Sequence, residues 1–334
     1  RGDSLTKKLR DYSVKYVKIS EKDMSNSRTL VKDYIEEQIM VYCRQKSSLP
    51  ILRLEYTGSV YERLKTEAAD EVDVMVVLKT TKSEVMVEDP GVPGYVRLVA
   101  RMDSNIRKYS SPEGYINPER LRNGWFYSLV DQAIRDFRAR SPGSDIQLVL
   151  RSHGPAVQLD IHRKGTGEKL LSVDLVPCFQ VGPDYYVAKP YTGRGSVSSP
   201  GLLWRQSFSL KEKGILEYMD RDHGCRHELL RIVKTIVNRE RTSLGGLRSY
   251  HLKTAFMHYI KDKPDNWAGW NSLGEHFLGF LRALQSYLES GNLPLYWLPG
   301  VNLLDDIDRV VVVKMADRLK RILNSEVERN KILE

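Results

Sequence analysis

Apolar residues recur at helical spacing near the start of the chain, at Leu30, Tyr34, Ile35, Ile39 and Tyr42. Because positions three and four apart share one face of a helix, this pattern predicts a long amphipathic helix over residues 27–45. The basic residues 5–19 before it are also compatible with a helix. Long N-terminal helical structure is therefore expected ahead of any sheet.

Shorter apolar runs, separated by turn residues, follow after residue 50. They predict five strands, over residues 52–56, 72–78, 147–151, 156–162 and 170–179. Clusters of Gly, Pro, Ser and Asp at 88–94 and 141–144 predict turns. Helical spacing returns over residues 119–140, and a stretch rich in Gly, Ser and Pro at 182–201 predicts a long loop.

The remainder of the chain is predicted to be helical, with five candidates over residues 204–219, 227–239, 249–260, 273–288 and 304–327. A helix-flanked sheet followed by a helical lobe is an α+β arrangement, with a cleft expected between the two parts. We expect the N-terminal helix and the sheet to occupy residues 1–200 and the helical lobe to occupy residues 201–334.

Composition narrows the class of protein without deciding its function. A chain of 334 residues can bury a sizeable core, and no apolar run is long enough to predict a membrane span, so no membrane partner is expected. The widely spaced Cys43, Cys178 and Cys225 argue against a disulfide framework and favour a reducing, cytoplasmic location. The net charge of +9 is compatible with nucleic-acid binding but does not prove it.

Two acidic residues, Glu71 and Asp73, belong to an otherwise apolar strand candidate. Side chains at i and i+2 of a strand share a face, so these two carboxylates are expected to lie side by side. They would repel each other unless a hard cation such as magnesium, together with substrate phosphates, held them. Gly58 and Ser59 form a turn suited to a phosphate. The pattern indicates nucleotidyl transfer, although a solvated strand edge and an ordinary turn would also produce it.

A two-metal site for phosphoryl transfer commonly takes a third acidic ligand from a neighbouring strand, and Asp160 and Asp174 are the candidates. Asp174 has apolar neighbours on both sides, so it would be a buried charge unless it binds something. Asp160 lies near His162 and Arg163, either of which can pair with it. We therefore favour Asp174.

The order of these motifs resembles that of the polymerase-beta-like nucleotidyltransferases. Residues 57–65 and 69–75 are more closely similar to the active-site segment of cyclic GMP-AMP synthase and the cGAS-like receptors. Further similar blocks follow in the same order, over residues 154–157, 173–175, 204–209, 249–256 and 298–303. The resemblance spans almost the whole chain. It implies a bilobed nucleotidyltransferase with its active-site cleft against a C-terminal helical lobe.

The resemblance also implies roles for individual residues. Glu71, Asp73 and Asp174 would be catalytic and would bind two magnesium or manganese ions. The implied nucleotide-binding residues are Gly58, Ser59, Arg205, Glu212, Lys234, Ser249 and Tyr250. Without the resemblance, Lys234 would be a solvated helix residue, Tyr250 would pack in the core about as often as not, and Arg205 would stack on Trp204.

One departure from the vertebrate synthase concerns zinc. That enzyme carries an insertion with one His and three Cys ligands that grips duplex DNA, whereas the corresponding residues 220–227 are few here. His223, Cys225 and His227 include a single cysteine, and a structural zinc site needs four ligands, so no structural zinc is expected. The missing insertion favours double-stranded RNA over double-stranded DNA as the activator.

Duplex RNA is bound mainly through its phosphates and 2′-hydroxyls, so basic residues are the candidate contacts. These candidates are Lys7, Lys8, Arg10, Lys213 and Arg231, together with Lys15, Lys18 and Lys211. Each lysine alone would be an ordinary solvated residue.

The expected function is nucleic-acid-activated synthesis of a cyclic dinucleotide second messenger in innate immune sensing. The substrates would be ATP, GTP or other nucleoside triphosphates, and pyrophosphate would be released. A synthase activated by double-stranded DNA, a linear polymerase like an oligoadenylate synthase, and a catalytically silent nucleotide-binding relative stay open as alternatives. The nucleobases and linkage of the product, the activator length, homodimerisation on the ligand and the natural N-terminus also stay open.

Overall fold

The computed structural model describes residues 2–18, 21–66, 71–81, 83–153, 156–193, 195–263 and 269–334, without the side chains of residues 2, 3, 21–24, 71, 152, 153 and 156. The chain forms two compact units. The sheet unit consists of residues 21–61 and 70–211, and the helical unit of residues 1–20, 62–69 and 212–334. Two segments from the N-terminal part of the chain therefore belong to the helical unit.

The strands of the sheet unit form a single mixed sheet. In chain order they are β1 Ile51–Thr57, β2 Glu71–Leu78, β3 Val85–Glu88, β4 Tyr95–Ala100, β5 Ile146–His153, β6 Ala156–Arg163, β7 Lys169–Val181, β8 Asp184–Val187 and β9 Trp204–Ser207. Their spatial order is β1-β2-β7-β8-β9-β4-β3, and β5 joins through β6, which also pairs with β7. The β2–β7 pair is parallel, and the other pairs are antiparallel.

Helices belong to both units, and two short 3₁₀ turns, Asn105–Tyr109 and Pro200–Leu202, accompany them. In chain order the helices are α1 Gly2–Tyr12 with Ser13–Val17; α2 Glu21–Leu30, Val31–Met40 and Val41–Lys46; α3 Pro118–Arg120, Leu121–Tyr127 and Ser128–Arg140; α4 Ser209–Leu216; α5 Arg226–Arg239; α6 Arg241–Leu244; α7 Ser249–Lys261; α8 Leu273–Ser290; α9 Arg309–Asn324; and α10 Glu326–Leu333. None of the helices in the described ranges is both long and apolar enough to cross a membrane.

One face of the sheet packs against α2 and α3. Alternate residues of β2 and β7 supply this core, and α2 and α3 cover them at helical spacing. Fully buried members include Val72, Val74, Val173, Leu175, Ile35, Ile39 and Phe126. Burial of an aliphatic or aromatic side chain of this size stabilises a fold by about 1.5–3 kcal/mol. The side chains that alternate with these on β2 and β7 therefore lie on the opposite face of the sheet, outside this core.

The helical unit has its own core, to which α1 and residue Leu64 contribute. Leu9, Tyr12, Val17 and Leu64 pack with apolar residues of α5, α7, α8 and α9. Leu64 is fully buried although its chain neighbours belong to a connection between two strands of the sheet unit. That connection is thus anchored in the helical unit.

Three helix and loop predictions are wrong. Residues 204–219 form β9 followed by α4, because Trp204 pairs with Val96 in the sheet and its ring N–H donates to the Ile116 carbonyl at 2.9 Å. The loop predicted at 182–201 contains β8. The helix predicted at 304–327 begins only at Arg309, and Ser325 separates it from α10 by accepting a hydrogen bond from the Glu328 N–H.

The predicted α+β fold, with a mixed sheet and C-terminal helices, is confirmed. Strands β3 and β4 were not predicted. Compact packing groups residues 1–20 and 62–69 with the C-terminal helices and residues 201–211 with the sheet. A domain division at residue 200 stays a prediction, as does the cleft.

Candidate active site

The carboxylates of Asp73 and Asp174 come from adjacent parallel strands. Asp73 on β2 and Asp174 on β7 are register partners, so their Cα atoms are separated by the interstrand spacing of about 4.8 Å and their side chains share a face. Both residues are half-buried. Glu71 pairs with Ser172 in the same ladder, and its side chain lies outside the described residues. The fold therefore brings together two of the three predicted carboxylates.

The face that carries Asp73 and Asp174 is opposite the main core of the sheet. Farther along the same face, Met75, Val77, Val176, Cys178 and Val187 form a small apolar cluster. The two aspartates therefore lie at one end of a face that is otherwise apolar. Such surroundings strengthen the interaction of the carboxylates with any cation they bind.

Asp160 also lies on this face but has other partners. It is 2% exposed, accepts a hydrogen bond from the Ser172 hydroxyl at 2.7 Å and forms an ion pair with Arg151 at 2.9 Å. The sequence suggested His162 and Arg163 as partners. His162 is 3.9 Å away, and the close cation is Arg151 from the neighbouring strand β5. The carboxylate of Asp160 is thus already neutralised within the sheet.

The turn after β1 begins beside Asp73. Thr57, the last residue of β1, is the register partner of Asp73, and Gly58 follows with a φ of +94°, a conformation that favours glycine. The Tyr61 N–H closes the turn on the Gly58 carbonyl at 3.1 Å. Ser59 is half-buried. Gly58 and Ser59 are therefore placed next to the strand end that carries Asp73.

Arg205 lies on β9 and contacts Tyr95 rather than Trp204. Its guanidinium donates to the Tyr95 hydroxyl at 3.0 Å and to the Thr192 hydroxyl at 3.1 Å, and lies over the Tyr95 ring at 5.6 Å. Trp204 is fully buried, so the stacking partner suggested by sequence adjacency is wrong. Binding of nucleotides by Arg205 stays a prediction.

In the helical unit, Glu212 on α4 meets Tyr250 on α7. The Tyr250 hydroxyl donates to the Glu212 carboxylate at 3.3 Å, and the Tyr250 ring is 39% exposed. Burial raises the pKa of Glu212 to about 7; nearby Lys253 opposes this rise and Glu62 adds to it. Ser249 is exposed at the N-terminus of α7, where backbone N–H groups favour anions.

Lys234 on α5 is buried and holds the backbone of the β1–β2 connection. Its ammonium donates to the Leu64 carbonyl at 2.8 Å, and the residue is 7% exposed. The solvated position that sequence alone favoured for Lys234 is therefore wrong. Its binding to a phosphate stays a prediction.

The sequence assigned no role to Glu62 and Lys253, which form an ion pair in the helical unit. The carboxylate side chain of Glu62 is 4% exposed and that of Lys253 is 13% exposed. The sequence held only a weak indication of this pair. Lys253 lies between Leu252 and Thr254 in residues 249–256, a block that resembles the family. Their pairing depends on tertiary structure.

In the region that would hold zinc in the vertebrate enzyme, residues 220–225 form a polar loop and residues 226–227 begin α5. Nδ1 of His227 bonds to Asp220 at 2.7 Å, and although burial opposes it, hydrogen bonds from His227 hold the pKa of Asp220 below its usual value. Burial raises the pKa of Cys225 to about 12. His223 is exposed. The expectation of no structural zinc stays a prediction.

The predicted nucleic-acid contacts differ in their surroundings. Lys7 and Arg10 on α1 are exposed, whereas Lys8 donates to the Asn330 side chain at 2.9 Å. Arg231 donates to the His227 carbonyl, and burial lowers its pKa from the usual value. Lys213 on α4 is half-buried. Lys7 and Arg10 are thus better placed than Lys8 or Arg231 to meet a phosphate backbone.

The donor set on β2 and β7 fits a hard divalent cation. Among the described side chains, which do not include that of Glu71, no group of three or more His, Cys, Asp and Glu residues is arranged to hold a metal ion. Asp73 and Asp174 nevertheless present carboxylate oxygens from paired register positions, and Glu71 lies two residues before Asp73 on β2. Oxygen ligands on rigid strands suit magnesium or manganese.

Comparison with known proteins identifies the class of protein to which the chain belongs. Residues 60–218 match the family described as Mab-21 protein nucleotidyltransferase domain, and residues 225–321 match the Mab-21 protein HhH/H2TH-like domain. The first match contains Asp73, Asp174 and Arg205, and the second contains Lys234 and Tyr250. The protein is thus a nucleotidyltransferase-domain protein with a helical C-terminal domain.

Full-length relatives specify the family further. The chain is 57% identical to cyclic GMP-AMP synthase-like receptor 3 of Stylophora pistillata, over 100% of this chain and 99% of the relative. It is 23% identical to a cyclic GMP-AMP synthase-like receptor of Tribolium castaneum, over 96% and 88%. The mitochondrial dynamics protein MID51 of Danio rerio is 27% identical over 87% of this chain and 63% of that protein. The chain belongs to the cyclic GMP-AMP synthase-like receptors.

Proposed function

We propose that the protein synthesises a cyclic dinucleotide from two nucleoside triphosphates when double-stranded RNA binds it, and that it acts as an innate immune sensor in the cytoplasm. The observation that carries the proposal is the register pairing of Asp73 with Asp174, beside the turn that contains Gly58 and Ser59. The relationship to proteins named as cyclic GMP-AMP synthase-like receptors supports the choice of product class.

In the proposed nucleotidyl transfer, the aspartates would act on a sugar hydroxyl and a triphosphate. Asp174 would accept the proton of a 2′- or 3′-hydroxyl while the hydroxyl oxygen bonds to the α-phosphorus of a second nucleotide. The bond from that phosphorus to the oxygen bridging to the β-phosphate would break, and pyrophosphate would leave. Gly58 and Ser59 would bind the triphosphate through backbone N–H groups and a hydroxyl. Magnesium or manganese, held by Asp73, Asp174 and Glu71, would supply charge neutralisation. A second transfer of the same kind would close the ring.

Residues of the helical unit would bind the nucleotides. Tyr250, with its exposed ring, would stack on a base, and Ser249 at the N-terminus of α7 would meet a phosphate. Glu212, Lys234 and Arg205 would complete the contacts to the substrates. ATP and GTP are the first substrates to test.

Double-stranded RNA is favoured over DNA as the activator because a short polar loop over residues 220–225, held to the start of α5 by the Asp220–His227 hydrogen bond, stands in place of a long insertion. The exposed Lys7 and Arg10 would contact phosphates, and binding of the duplex would order the turn at Gly58 and Ser59 by a population shift. A homodimer on the ligand stays open.

A catalytically silent relative is a second candidate because one matched relative is named for mitochondrial dynamics rather than for synthesis. The acidic residues at positions 71, 73 and 174 argue against it. A linear polymerase like an oligoadenylate synthase shares the same carboxylate chemistry.

One experiment separates these functions. The protein is incubated with all four nucleoside triphosphates, magnesium or manganese, and duplex RNA or duplex DNA at matched salt, and the products are separated after phosphatase treatment. A phosphatase-resistant dinucleotide formed with duplex RNA supports the proposal. A ladder of linear oligomers, a product formed with DNA alone, or no product in any reaction contradicts it.

A further inference from the structure

The segment that leads from the Gly58–Ser59 turn toward β2 buries an unusual number of polar side chains. Glu62, Lys65 and Thr66 are each at most 5% exposed, and Leu64 between them is fully buried. Charged side chains are seldom buried this deeply unless they are paired. The segment over residues 62–66, called the anchor segment below, is therefore held by specific partners.

Two lysines of the helical unit hold the anchor segment. Lys253 of α7 forms an ion pair with the Glu62 carboxylate, and Lys234 of α5 donates to the Leu64 carbonyl at 2.8 Å. One contact engages a side chain and the other a backbone carbonyl, so the segment is fixed in both position and direction. Glu212 adds a second carboxylate close to Lys253: burial raises the pKa of Glu212, and the nearby Lys253 ammonium opposes that rise.

The chain just before the anchor segment is held within the sheet unit. Arg28 of α2 donates to the Val60 carbonyl at 3.3 Å and lies 5.4 Å from the centre of the Tyr61 ring. The Tyr61 ring packs on Tyr56 of β1 at 5.3 Å, and burial raises the pKa of Tyr61 to about 12. Ser59 therefore lies in a short turn with fixed residues on both sides.

A loop that must present N–H groups and a hydroxyl to a phosphate loses affinity when it is free to move, because ordering it on binding costs conformational entropy. A buried, hydrogen-bonded anchor directly after the turn would remove part of that cost. The ion pair itself need not stabilise the fold, since a buried pair often contributes little compared with apolar residues of the same size. We therefore explain the ion pair by the position in which it holds the anchor segment.

We propose that Glu62 and Lys253 are positioning residues that fix the Gly58–Ser59 turn for binding of a nucleoside triphosphate. This inference rests on the proposed function, because it assigns the turn to the triphosphate. Lys234, through the Leu64 carbonyl, supports the same segment.

Hydrogen–deuterium exchange tests the inference without requiring turnover. The variants are Lys253→Met and the double variant Glu62→Gln/Lys253→Met, which removes both charges of the ion pair. Lys261→Met is the matched control, since Lys261 is exposed on the same helix α7. We expect amides of residues 59–64 to exchange about tenfold faster in both variants, with β2 and α8 unchanged and the control like wild type.

Binding of ATP in the presence of magnesium and duplex RNA supplies the second readout. The double variant is expected to bind ATP at least about fivefold more weakly than wild type, because the turn must be ordered on binding. Unchanged exchange at residues 59–64, or faster exchange with unchanged ATP affinity, overturns the inference, as does a wild-type protein that binds no ATP. A wild-type protein that binds ATP but forms no product contradicts the proposed reaction alone.

Discussion

Asp160 and Asp174 lie on the same face of neighbouring strands, with Asp160 paired in register to Ser172 and Asp174 to Gln158. Their electrostatic environments differ. Asp160 has Arg151 and the Ser172 hydroxyl as partners within the sheet, whereas Asp174 is placed opposite a second carboxylate, that of Asp73. Asp160 is therefore a structural residue, whereas Asp174 is the aspartate for which we propose a cation as partner.

This difference predicts opposite effects on stability. Asp160→Asn removes a buried, paired charge and should lower the free energy of unfolding by about 1–3 kcal/mol. Asp174→Asn removes one of two like charges in register and should leave stability unchanged or raise it in metal-free buffer. Urea unfolding at pH 7.5 with a chelator measures both. A loss for Asp174→Asn as large as that for Asp160→Asn would mean that Asp174 is a structural residue.

Protonation of Glu212 predicts a pH dependence of stability. Its pKa is about 7 in the fold and 4.5 when unperturbed, so the folded state binds the proton more tightly. The resulting stabilisation is complete below about pH 4.5 and is lost as pH rises through about 7. Since one pKa unit corresponds to about 1.4 kcal/mol, a few kcal/mol are available at most.

Glu212→Gln tests this dependence because glutamine cannot ionise. The variant should resemble wild type at pH 5 and be the more stable of the two at pH 8.5, as measured by urea unfolding at both pH values. Glu217→Gln, on a half-buried residue shortly after α4, is the control. An equal difference between Glu212→Gln and wild type at both pH values would show that Glu212 does not titrate in this range.

Tyr250 is predicted to act through its ring. Tyr250→Phe removes only a long hydrogen bond of 3.3 Å to Glu212 and should change KM for the nucleotides by less than about threefold. Tyr250→Ala removes a stacking surface worth about 1–3 kcal/mol and should raise KM about tenfold or more. Steady-state kinetics of both variants decide the matter. Equal effects of the two substitutions would assign the role to the hydroxyl.

The exposed cations of α1 are predicted to contact the activator. The double variant Lys7→Gln/Arg10→Gln should weaken binding to duplex RNA and reduce the slope of log affinity against log salt by about 1–2. Lys8→Gln should change the slope less, because Lys8 is already bonded to Asn330 and lies 3.8 Å from Glu326. Gel shifts over a salt series measure the slopes. A slope unaffected by the double variant would place the RNA elsewhere.

The sequence predicted the strands of the site more successfully than their arrangement. Strands β2 and β7 are apolar runs long enough to recognise, and the acidic residues within them were evident. The register that pairs Asp73 with Asp174 was not predictable, because it depends on how parallel strands distant in sequence align. Strands β8 and β9 were not predicted because each has only four residues and depends on partners in the sheet.

Contacts distant in sequence were also beyond prediction. Local pattern alone made Lys234 a solvated helix residue and assigned Lys253 no role, whereas the fold places them against Leu64 and Glu62. No local pattern marks such pairs, since their energy arises only when both partners are buried together. The same holds for Arg205, whose partner is Tyr95 on another strand rather than its chain neighbour.

Pyrophosphate release in the presence of duplex RNA and magnesium is the most direct test of the site on β2 and β7. Wild-type protein should release pyrophosphate from ATP and GTP, Asp73→Asn and Asp174→Asn should lose at least about a hundredfold in rate while remaining folded, and Asp160→Asn should keep its rate per folded molecule. Rates for Asp73→Asn and Asp174→Asn close to that of wild type would contradict the assignment of nucleotidyl transfer to these two carboxylates.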